Sequence, residues 1–215
     1  MGGEIGKFIT FEGGEGSGKT TQSRLAADWL RERGIPHLVT AEPGGTPLGR
    51  RIREILLNRK SCAIGAKAEL LLFTAARAQH VRETILPALK AGQWVLCDRF
   101  TDATLAYQGF GRGLDVEFIR SLNDFSACSL KPDLTLLFDL PVKVGLARAK
   151  KRAAGSRPEV AEDRFEQEKG TFHERIREGY LTLASAEPER FRIIDGAADI
   201  ESVRREVRLH LSALL

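Results

Sequence analysis

The sequence has little of what holds a chain in a membrane, cross-links it or binds a structural metal. No apolar run approaches the roughly 20 residues that span a bilayer, and residues 1–7 lack the basic and apolar regions of a signal peptide. The three cysteines, Cys62, Cys97 and Cys128, are scattered singly, which argues against a disulfide framework and a Cys/His zinc site. We therefore expect a cytoplasmic protein with no membrane partner and with three buried thiols.

Charge of one sign is not in large excess either. With 33 basic and 29 acidic side chains, the net charge is +4, which suits an anionic small molecule as well as nucleic acid. The termini carry no Lys/Arg tail, and the densest basic cluster, Arg148, Lys150, Lys151 and Arg152, is typical of a solvated helix face. We expect small anionic ligands and no nucleic-acid partner.

Short apolar runs alternate along the chain with amphipathic stretches. The apolar runs predict five strands, at residues 5–11, 37–40, 94–97, 134–138 and 191–194. The stretches between them predict helices at residues 20–33, 48–57, 66–86, 116–125, 142–152 and 164–184, and a last helix capped by Asp199. Because strands without polar alternation are covered on both faces, the pattern favours one α/β domain over residues 1–215, built on a parallel sheet.

The pattern is interrupted at two places, and each interruption predicts a local feature of the fold. Pro87 is expected to end or kink the long third helix. Residues 150–164 contain a weakly patterned stretch with Ala, Gly and Pro that separates two helices. Its position inside the domain predicts a short lid rather than a domain boundary.

One glycine-rich segment carries the strongest chemical signal. It reads Gly13-Gly14-Glu15-Gly16-Ser17-Gly18-Lys19-Thr20, which matches the phosphate-binding pattern G-x-x-x-x-G-K-[ST] between a predicted strand and a predicted helix. Lys19 is expected to reach the β- and γ-phosphates, and the Thr20 hydroxyl to ligate Mg²⁺. With Thr21, these residues form the predicted ATP site of a P-loop NTPase fold. The sequence contains no Asn-Lys-x-Asp guanine signature, which argues against a GTPase.

Two further groups of residues point to a second, anionic substrate. Asp98 and Arg99 end a predicted buried strand, where ligands of open α/β sheets bind; the acid suits a metal shell or a sugar hydroxyl, and the arginine suits a phosphate. Phe73 and Arg77 lie four apart and share a helix face, a combination that can stack on a base and donate to its carbonyl. Taken alone, the strand-end pair could be structural, and Phe73 could belong to the core.

With these segments, the chain resembles the bacterial thymidylate kinases along essentially its whole length. The P-loop is shared by many families, whereas the other matching segments are more specific. The matches are Phe11 to Thr21, Glu42-Pro43-Gly44-Gly45-Thr46, Phe73-Thr74-Ala75-Ala76-Arg77, Asp98-Arg99-Phe100 and Leu105-Ala106-Tyr107-Gln108-Gly109. The resemblance implies a five-stranded parallel core with a lid, a homodimer, and transfer of the γ-phosphoryl group of ATP to dTMP.

The resemblance also implies roles for single residues of the dTMP site. Phe73 would stack on the thymine ring, and Tyr107 would crowd the sugar where a ribose 2′-hydroxyl would lie. The polar edge of the base would be bound by Arg77, Thr104 and Gln108, and the acceptor phosphate by Arg53 and Arg99. Glu12 and Asp98 would lie near the metal and the sugar, with Thr20 as the other metal residue, and Glu42 and Pro43 would complete the site.

One position departs from the family pattern. Related bacterial sequences usually carry arginine immediately before the Glu-Pro-Gly-Gly-Thr segment, and there it contacts the acceptor phosphate; here the position is Ala41. Arg50 or Arg51 is a candidate to compensate. Without compensation, we expect weak binding of the acceptor.

The predicted reaction needs no general base. A nucleotide phosphate has a second pKa near ~6 and is mostly ionised at pH 7, so catalysis is expected to come from positioning and charge neutralisation by Mg²⁺, Lys19, Arg99 and lid arginines. Glu15 is unusual, because a carboxylate in a phosphate loop repels phosphate unless a cation pairs with it. The basic residues around Arg148, Arg152 and Arg157 are the expected source of that cation. In the resembling subclass a lid arginine is catalytic, which makes Arg152 the first candidate here and Arg157 the second.

Other interpretations remain open at this point. The nearest is another nucleoside monophosphate kinase or a deoxynucleoside kinase. A P-loop ATPase or GTPase that works as a switch or a nucleic-acid motor would hydrolyse nucleotide without an acceptor. A non-catalytic nucleotide-binding module is disfavoured by the intact Lys19, Thr20 and Asp98.

Overall fold

A parallel β-sheet organises the computed structural model, which describes residues 5–57, 63–154 and 164–215. The sheet has five strands in the order β2-β3-β1-β4-β5, and every neighbouring pair is parallel. The strands are β1 (Phe8–Gly13), β2 (His37–Ala41), β3 (Trp94–Asp98), β4 (Leu134–Asp139) and β5 (Phe191–Asp195). All five predicted strands are present, so the predicted α/β class with a five-stranded parallel sheet is confirmed.

Helices cover both faces of this sheet. Their bounds are α1 (Lys19–Glu32), α2 (Pro47–Leu57), α3 (Ala66–His80), α4 (Leu86–Lys90), α5 (Thr101–Thr104), α6 (Val116–Ala127), α7 (Val142–Ala154), α8 (Gly170–Ala186) and α9 (Ile200–Ser212). Two π-helical turns, Val81–Ile85 and Leu105–Gly111, and a 3₁₀ turn, Arg164–Gln167, join some of them. The Asp199 carboxylate accepts the backbone N–H groups of Glu201 and Ser202, as expected for the cap of α9.

Alternating side chains of the central strands explain why they read as continuous apolar runs. Ile9 and Phe11 of β1 pack with α1 and α9 on one face. Phe8 of the same strand packs with Val95 and α4 on the other face. Because both faces are buried, each position of the run is apolar or, like Thr10, hydrogen-bonded inside the sheet to Thr135.

Two details of the helices differ from the sequence prediction. The helix that contains Pro87 continues to Lys90, because the π-helical turn Val81–Ile85 widens the backbone ladder ahead of it and Pro87 lies in the first turn of α4. The segment Thr101–Gly111 is helical as well, although its glycines gave no helical pattern. This second segment places Thr104, Tyr107 and Gln108 beside the ends of the strands.

The described chain also tests the predictions on thiols and membranes. Cys97 is buried in β3, whereas Cys128 is exposed, because it follows the last residue of α6 in a left-handed conformation. The prediction of a buried thiol is therefore wrong for Cys128, and Cys62 lies outside the described residues. Among the helices of the described ranges, none is long and apolar enough to cross a membrane. Of the predicted lid, residues 155–163 lie outside the described residues.

Candidate active site

The glycine-rich segment forms a tight loop between the end of β1 and the start of α1. Gly13 has a φ angle of 141° and Gly16 one of 66°, a region that residues with a Cβ rarely adopt. A Cβ at Gly16 would lie 2.1 Å from the carbonyl oxygen of Gly145 in α7, and one at Gly13 would lie 2.4 Å from that of Phe138 in β4. The loop is therefore glycine-rich because neighbouring backbone presses against it from two elements.

Lys19 lies in the first turn of α1 and turns its ammonium back toward this loop. The ammonium donates to the carbonyl oxygens of Gly13 and Gly14 at 3.0 and 2.7 Å and to the Ser17 hydroxyl at 3.1 Å. Burial and, after it, the nearby Arg99 guanidinium lower the Lys19 pKa to about 8, against the opposing effect of Glu15. A phosphate chain bound in this loop would therefore lie beside the fixed ammonium of Lys19.

The two residues predicted at the metal lie together. The Thr20 hydroxyl donates to the Asp98 carboxylate at 2.7 Å. The contact arises because β1 and β3 are neighbours in a register that places Phe11 beside Asp98, so the start of α1 faces the end of β3. Within the described ranges, no cluster of three or more His, Cys, Asp or Glu side chains could hold a metal ion.

Arg99 follows β3 and connects the loop with the rest of the site. Its backbone is in the left-handed region, with φ 69°, where a residue with a Cβ is strained. Its guanidinium donates to the Gly13 carbonyl at 3.0 Å and to Glu15 Oε1 at 2.7 Å, and it lies 4.8 Å from the centre of the Tyr107 ring. The strained turn thus aims a cation at the phosphate loop.

The structure gives Glu15 a partner that the sequence analysis did not assign to it. Arg99 and the Tyr107 hydroxyl both donate to Glu15 Oε1, at 2.7 and 2.6 Å. Burial alone would raise the Glu15 pKa, but the Arg99 and Lys19 cations outweigh it and lower the pKa to about 2. The carboxylate in the phosphate loop is therefore paired with a strand-end arginine. Of the basic residues expected to pair with it, Arg148 donates to the Gly196 carbonyl and Arg152 to Glu166, whereas Arg157 lies outside the described residues.

A cavity opens beside this arginine, and it is lined by aromatic, polar and charged side chains, as ligand sites commonly are. The predicted site residues that line it are Glu15, Glu42, Pro43, Arg53, Phe73, Arg77, Arg99, Thr104, Tyr107 and Gln108. Leu57, Phe100, Ala103 and Phe165 also line it and were not predicted. The Phe165 ring lies 6.2 Å from that of Phe73 and 5.6 Å from that of Tyr107. Phe165 falls in the predicted helix 164–184, where the structure has the 3₁₀ turn Arg164–Gln167 and begins α8 only at Gly170. A helical pattern does not distinguish a cavity-lining aromatic residue from a core one.

The polar wall of the cavity is a buried hydrogen-bonded chain. Arg77 donates to Glu42 at 2.8 Å and to the Thr104 hydroxyl at 2.8 Å, and it donates further to the Phe100 carbonyl and to Asn123. These bonds use four of the five N–H groups of the guanidinium. Glu42 contacts His80 Nδ1 at 3.1 Å, and His80 Nε2 contacts the Thr40 hydroxyl at 2.7 Å. Arg77 is thus held rigidly from behind.

Glu12 is not brought to the cavity. Its side chain is fully buried and accepts the backbone N–H of Phe100 and the hydroxyl of Tyr180, both at 2.7 Å. Burial, followed by the nearby Asp102 carboxylate, raises the Glu12 pKa to about 7. The predicted place of Glu12 beside the sugar is replaced by one behind Arg99, whose guanidinium also donates to the Tyr180 hydroxyl at 3.3 Å.

The structure also places the arginines near Ala41 and in the lid. Arg53 lines the cavity and donates to the Pro43 carbonyl at 3.0 Å. Arg50 and Arg51 are exposed and are absent from the cavity lining, so the described contacts give neither of them the role of the missing arginine. Arg152, at the end of α7, donates to Glu166 at 2.7 Å. Arg157 lies outside the described residues.

Comparison with known proteins gives a consistent result. A family model described as thymidylate kinase matches residues 11–207. A thymidylate kinase from Syntrophus aciditrophicus is 62% identical over 207 residues, with 96% of this chain and 94% of the relative covered. One from Desulfovibrio desulfuricans is 54% identical over 208 residues, with 97% and 96% covered.

A solved structure shares the fold. The crystal structure of thymidylate kinase from Ehrlichia chaffeensis superposes with a TM-score of 0.74 at 34% sequence identity. The match covers 96% of this chain and 99% of that chain. The similarity therefore includes the elements that carry the loop and the cavity described above.

Proposed function

The chain belongs to the thymidylate kinase family and transfers the γ-phosphoryl group of ATP to dTMP, giving dTDP and ADP, and on this basis we propose which residues bind each substrate and stabilise the transfer. The observation that carries the proposal is the position of Arg99, which contacts the phosphate loop at Gly13 and lines the neighbouring cavity. One arginine therefore touches both places where phosphate is expected. The loop takes ATP, and the cavity takes dTMP.

The ATP phosphates bind in the loop formed by Gly13, Gly14, Glu15, Gly16, Ser17 and Gly18, at the N-terminus of α1. Backbone N–H groups and the partial positive charge of a helix N-terminus favour phosphate there. Lys19 is buried beside the loop carbonyls and contacts the β- and γ-phosphates. Thr20 and Thr21 begin the helix under them.

Thr20 and Asp98 hold Mg²⁺ together with the nucleotide. Mg²⁺ commonly takes one or two protein oxygens and completes its shell with substrate phosphates and water. A hydroxyl 2.7 Å from one carboxylate fits that preference. When bound, the ion neutralises charge on the transferred phosphoryl group.

The base and sugar of dTMP lie in the cavity. Phe73 stacks on the thymine ring, and Arg77, Thr104 and Gln108 contact its polar edge. Tyr107 narrows the cavity at the sugar, since its hydroxyl is fixed by Glu15 at 2.6 Å. Arg99 and Arg53 bind the acceptor phosphate, which places its oxygen next to the loop.

The chemical step is an in-line transfer without a general base. The acceptor oxygen is already ionised near pH 7, and the obstacle is repulsion between two anionic substrates. Lys19 and Arg99 stabilise the charge that develops between the two substrates during the transfer. A lid arginine, Arg152 or Arg157, adds positive charge at the transferred phosphoryl group. Because the described Arg152 is bonded to Glu166, it must change partners if it is the catalytic one.

A second copy of the chain covers the exposed face of α3 and α6, which makes the protein a homodimer. These two helices pack on each other and carry Leu71, Phe118 and Phe125, whose exposed fractions are 57%, 58% and 81%. Exposed apolar patches commonly mark interfaces, and a two-fold dimer buries the same patch on both subunits. Sedimentation should show a monomer for Phe125→Glu, whereas the control Val144→Glu on α7 should remain a dimer. If Phe125→Glu is still a dimer, the face of α3 and α6 is not the interface.

The reaction is tested by ADP release from Mg·ATP with each nucleoside monophosphate in turn. A large stimulation by dTMP is expected, and little or none by the others. Equal ADP release with no acceptor, or stimulation by nucleic acid alone, would contradict the proposal. The variant Arg99→Lys keeps the charge but loses the two-sided contact, so it should lower kcat and raise the KM for dTMP together.

A further inference from the structure

The cavity wall contains an amide whose orientation is fixed by its neighbour. Gln108 is buried in the wall, and its amide nitrogen donates to Glu69 Oε1 at 2.8 Å. An ionised carboxylate can only accept hydrogen bonds. The side of the Gln108 amide that faces Glu69 must therefore be the NH₂ group, and the carbonyl oxygen is left for the cavity.

Glu69 is itself held in place by two arginines. It lies fully buried near the start of α3 and accepts from Arg112 Nε at 3.2 Å and from Arg164 Nη2 at 2.5 Å. Arg112 also donates to Glu168, and Arg164 donates to the carbonyl of Leu56. Because arginine has donors only, every partner of Glu69 is a donor. The Glu69 carboxylate therefore accepts every hydrogen bond it makes, and the Gln108 group that faces it must be the NH₂ donor.

This orientation selects between pyrimidine bases. Thymine carries an N–H donor at N3 and a carbonyl acceptor at C4, whereas cytosine carries a lone pair at N3 and an amine donor at C4. A carbonyl oxygen of Gln108 that faces the base accepts the thymine N3–H but repels the cytosine N3 lone pair. Arg77, which has donors only, lines the same cavity and complements the thymine carbonyl.

We propose that Glu69 contributes to base specificity, because it holds the Gln108 carbonyl oxygen toward the acceptor base and so favours a base with an N–H at position 3. The inference rests on the proposed placement of dTMP in this cavity. Glu69 touches neither substrate; it acts through Gln108 and is a positioning residue. Arg77 keeps part of the discrimination when Glu69 is changed.

A purely structural role for Glu69 makes a different prediction. If Glu69 only balances the charges of Arg112 and Arg164, its loss should weaken the fold and lower activity with every acceptor by the same factor. If it orients Gln108, its loss should lower the ratio of kcat/KM for dTMP to kcat/KM for dCMP. The acceptor ratio separates the two roles, because a change in the amount of folded enzyme cancels in it.

The decisive variant is Glu69→Gln, measured with dTMP and dCMP. A glutamine at 69 offers either an oxygen or an NH₂ group, so the Gln108 amide can rotate at little cost. We expect the dTMP/dCMP ratio to fall roughly tenfold or more, the value of a buried hydrogen bond that is lost or mispaired, mainly through a higher KM for dTMP. Arg164→Gln removes a donor from Glu69 without freeing Gln108 and should leave the ratio unchanged.

A double-mutant cycle completes the test. Gln108→Leu should lower the ratio by itself, and Glu69→Gln should add nothing to it in the Gln108→Leu background, since both changes remove the same oriented oxygen. An unchanged ratio in Glu69→Gln, or additive effects of the two changes, overturns the inference. Absence of dTMP-dependent ADP release in the unaltered protein would instead overturn the proposed function, so the two failures are distinguishable.

Discussion

Replacing Glu12 by glutamine should change how stability depends on pH. Glu12 is fully buried, and its pKa is raised to about 7 by burial and by the Asp102 carboxylate. In the unfolded chain its pKa is the ordinary value of 4.5. Between these two values the folded state binds more protons than the unfolded state, so stability falls as the pH rises through this window. Ionised Glu12 therefore costs stability at neutral pH.

The magnitude follows from the shift. The difference between 4.5 and about 7 is about 2.5 pKa units, which corresponds to about 3 kcal/mol. Glutamine has nearly the same shape and no charge, so it removes this dependence, although it loses one acceptor for the Phe100 N–H or the Tyr180 hydroxyl at a cost of about 1–3 kcal/mol. Relative to the variant, the unaltered protein should lose about 3 kcal/mol between pH 4.5 and pH 8. The contributions of the other titrating groups are nearly the same in both proteins, so they largely cancel when the two free energies of unfolding are subtracted.

Urea unfolding, followed by the fluorescence of the buried Trp29 and Trp94, measures the effect at several pH values. Glu15→Gln is the matched control, because the Glu15 pKa is lowered to about 2. That residue contributes stability above pH 4.5 that is lost as the pH falls toward 2, so its difference curve should slope the opposite way. Parallel pH profiles for the unaltered protein and Glu12→Gln would refute the reasoning.

Three further predictions concern binding and turnover. Ala41→Arg should lower the KM for dTMP roughly tenfold or more, since a charge-assisted contact to phosphate is worth ~1.5–3 kcal/mol. An unchanged KM would contradict the idea that this chain lacks one arginine contact to the acceptor phosphate. Arg152→Ala or Arg157→Ala should reduce kcat more than it changes KM; if steady-state rates show both variants at full kcat, the lid arginine is not catalytic. His80→Asn keeps a nitrogen near the Nδ1 position that contacts Glu42, so its KM for dTMP should stay close to normal. His80→Leu removes that contact and should raise the KM roughly tenfold.

Much of the architecture could be predicted because its signals are local. The apolar runs of the strands follow from burial on both faces, as in β1, where Ile9 and Phe8 pack on opposite sides. The P-loop could be recognised because glycine and lysine occur at fixed spacing between a strand and a helix. The helical segment Thr101–Gly111 was missed because its apolar residues and glycines do not follow the 3.6-residue period, and most of it is the π-helical turn Leu105–Gly111.

Contacts that depend on strand order could not be predicted. Glu15 was expected to need a cation from the lid, yet it pairs with Arg99. That pairing exists because β1 lies directly beside β3, with Phe11 next to Asp98, and no local pattern reports which strands are neighbours. Glu12 was misplaced for a related reason, since its partner Tyr180 comes from α8, far along the chain.

The pairing of Glu15 with Arg99 explains why a carboxylate occupies a phosphate-binding loop. Lys19 is buried and Arg99 is partly buried beside Gly13, and the guanidinium lowers the Lys19 pKa, whereas Glu15 raises it. Two cations in a site of low dielectric repel each other strongly unless an anion lies between them. Glu15 supplies that anion before substrates bind, and it fixes Tyr107 through the same oxygen. In the proposed mechanism, the carboxylate therefore holds Arg99 in place and favours the charged form of Lys19 for the two phosphate groups that the reaction must bring together.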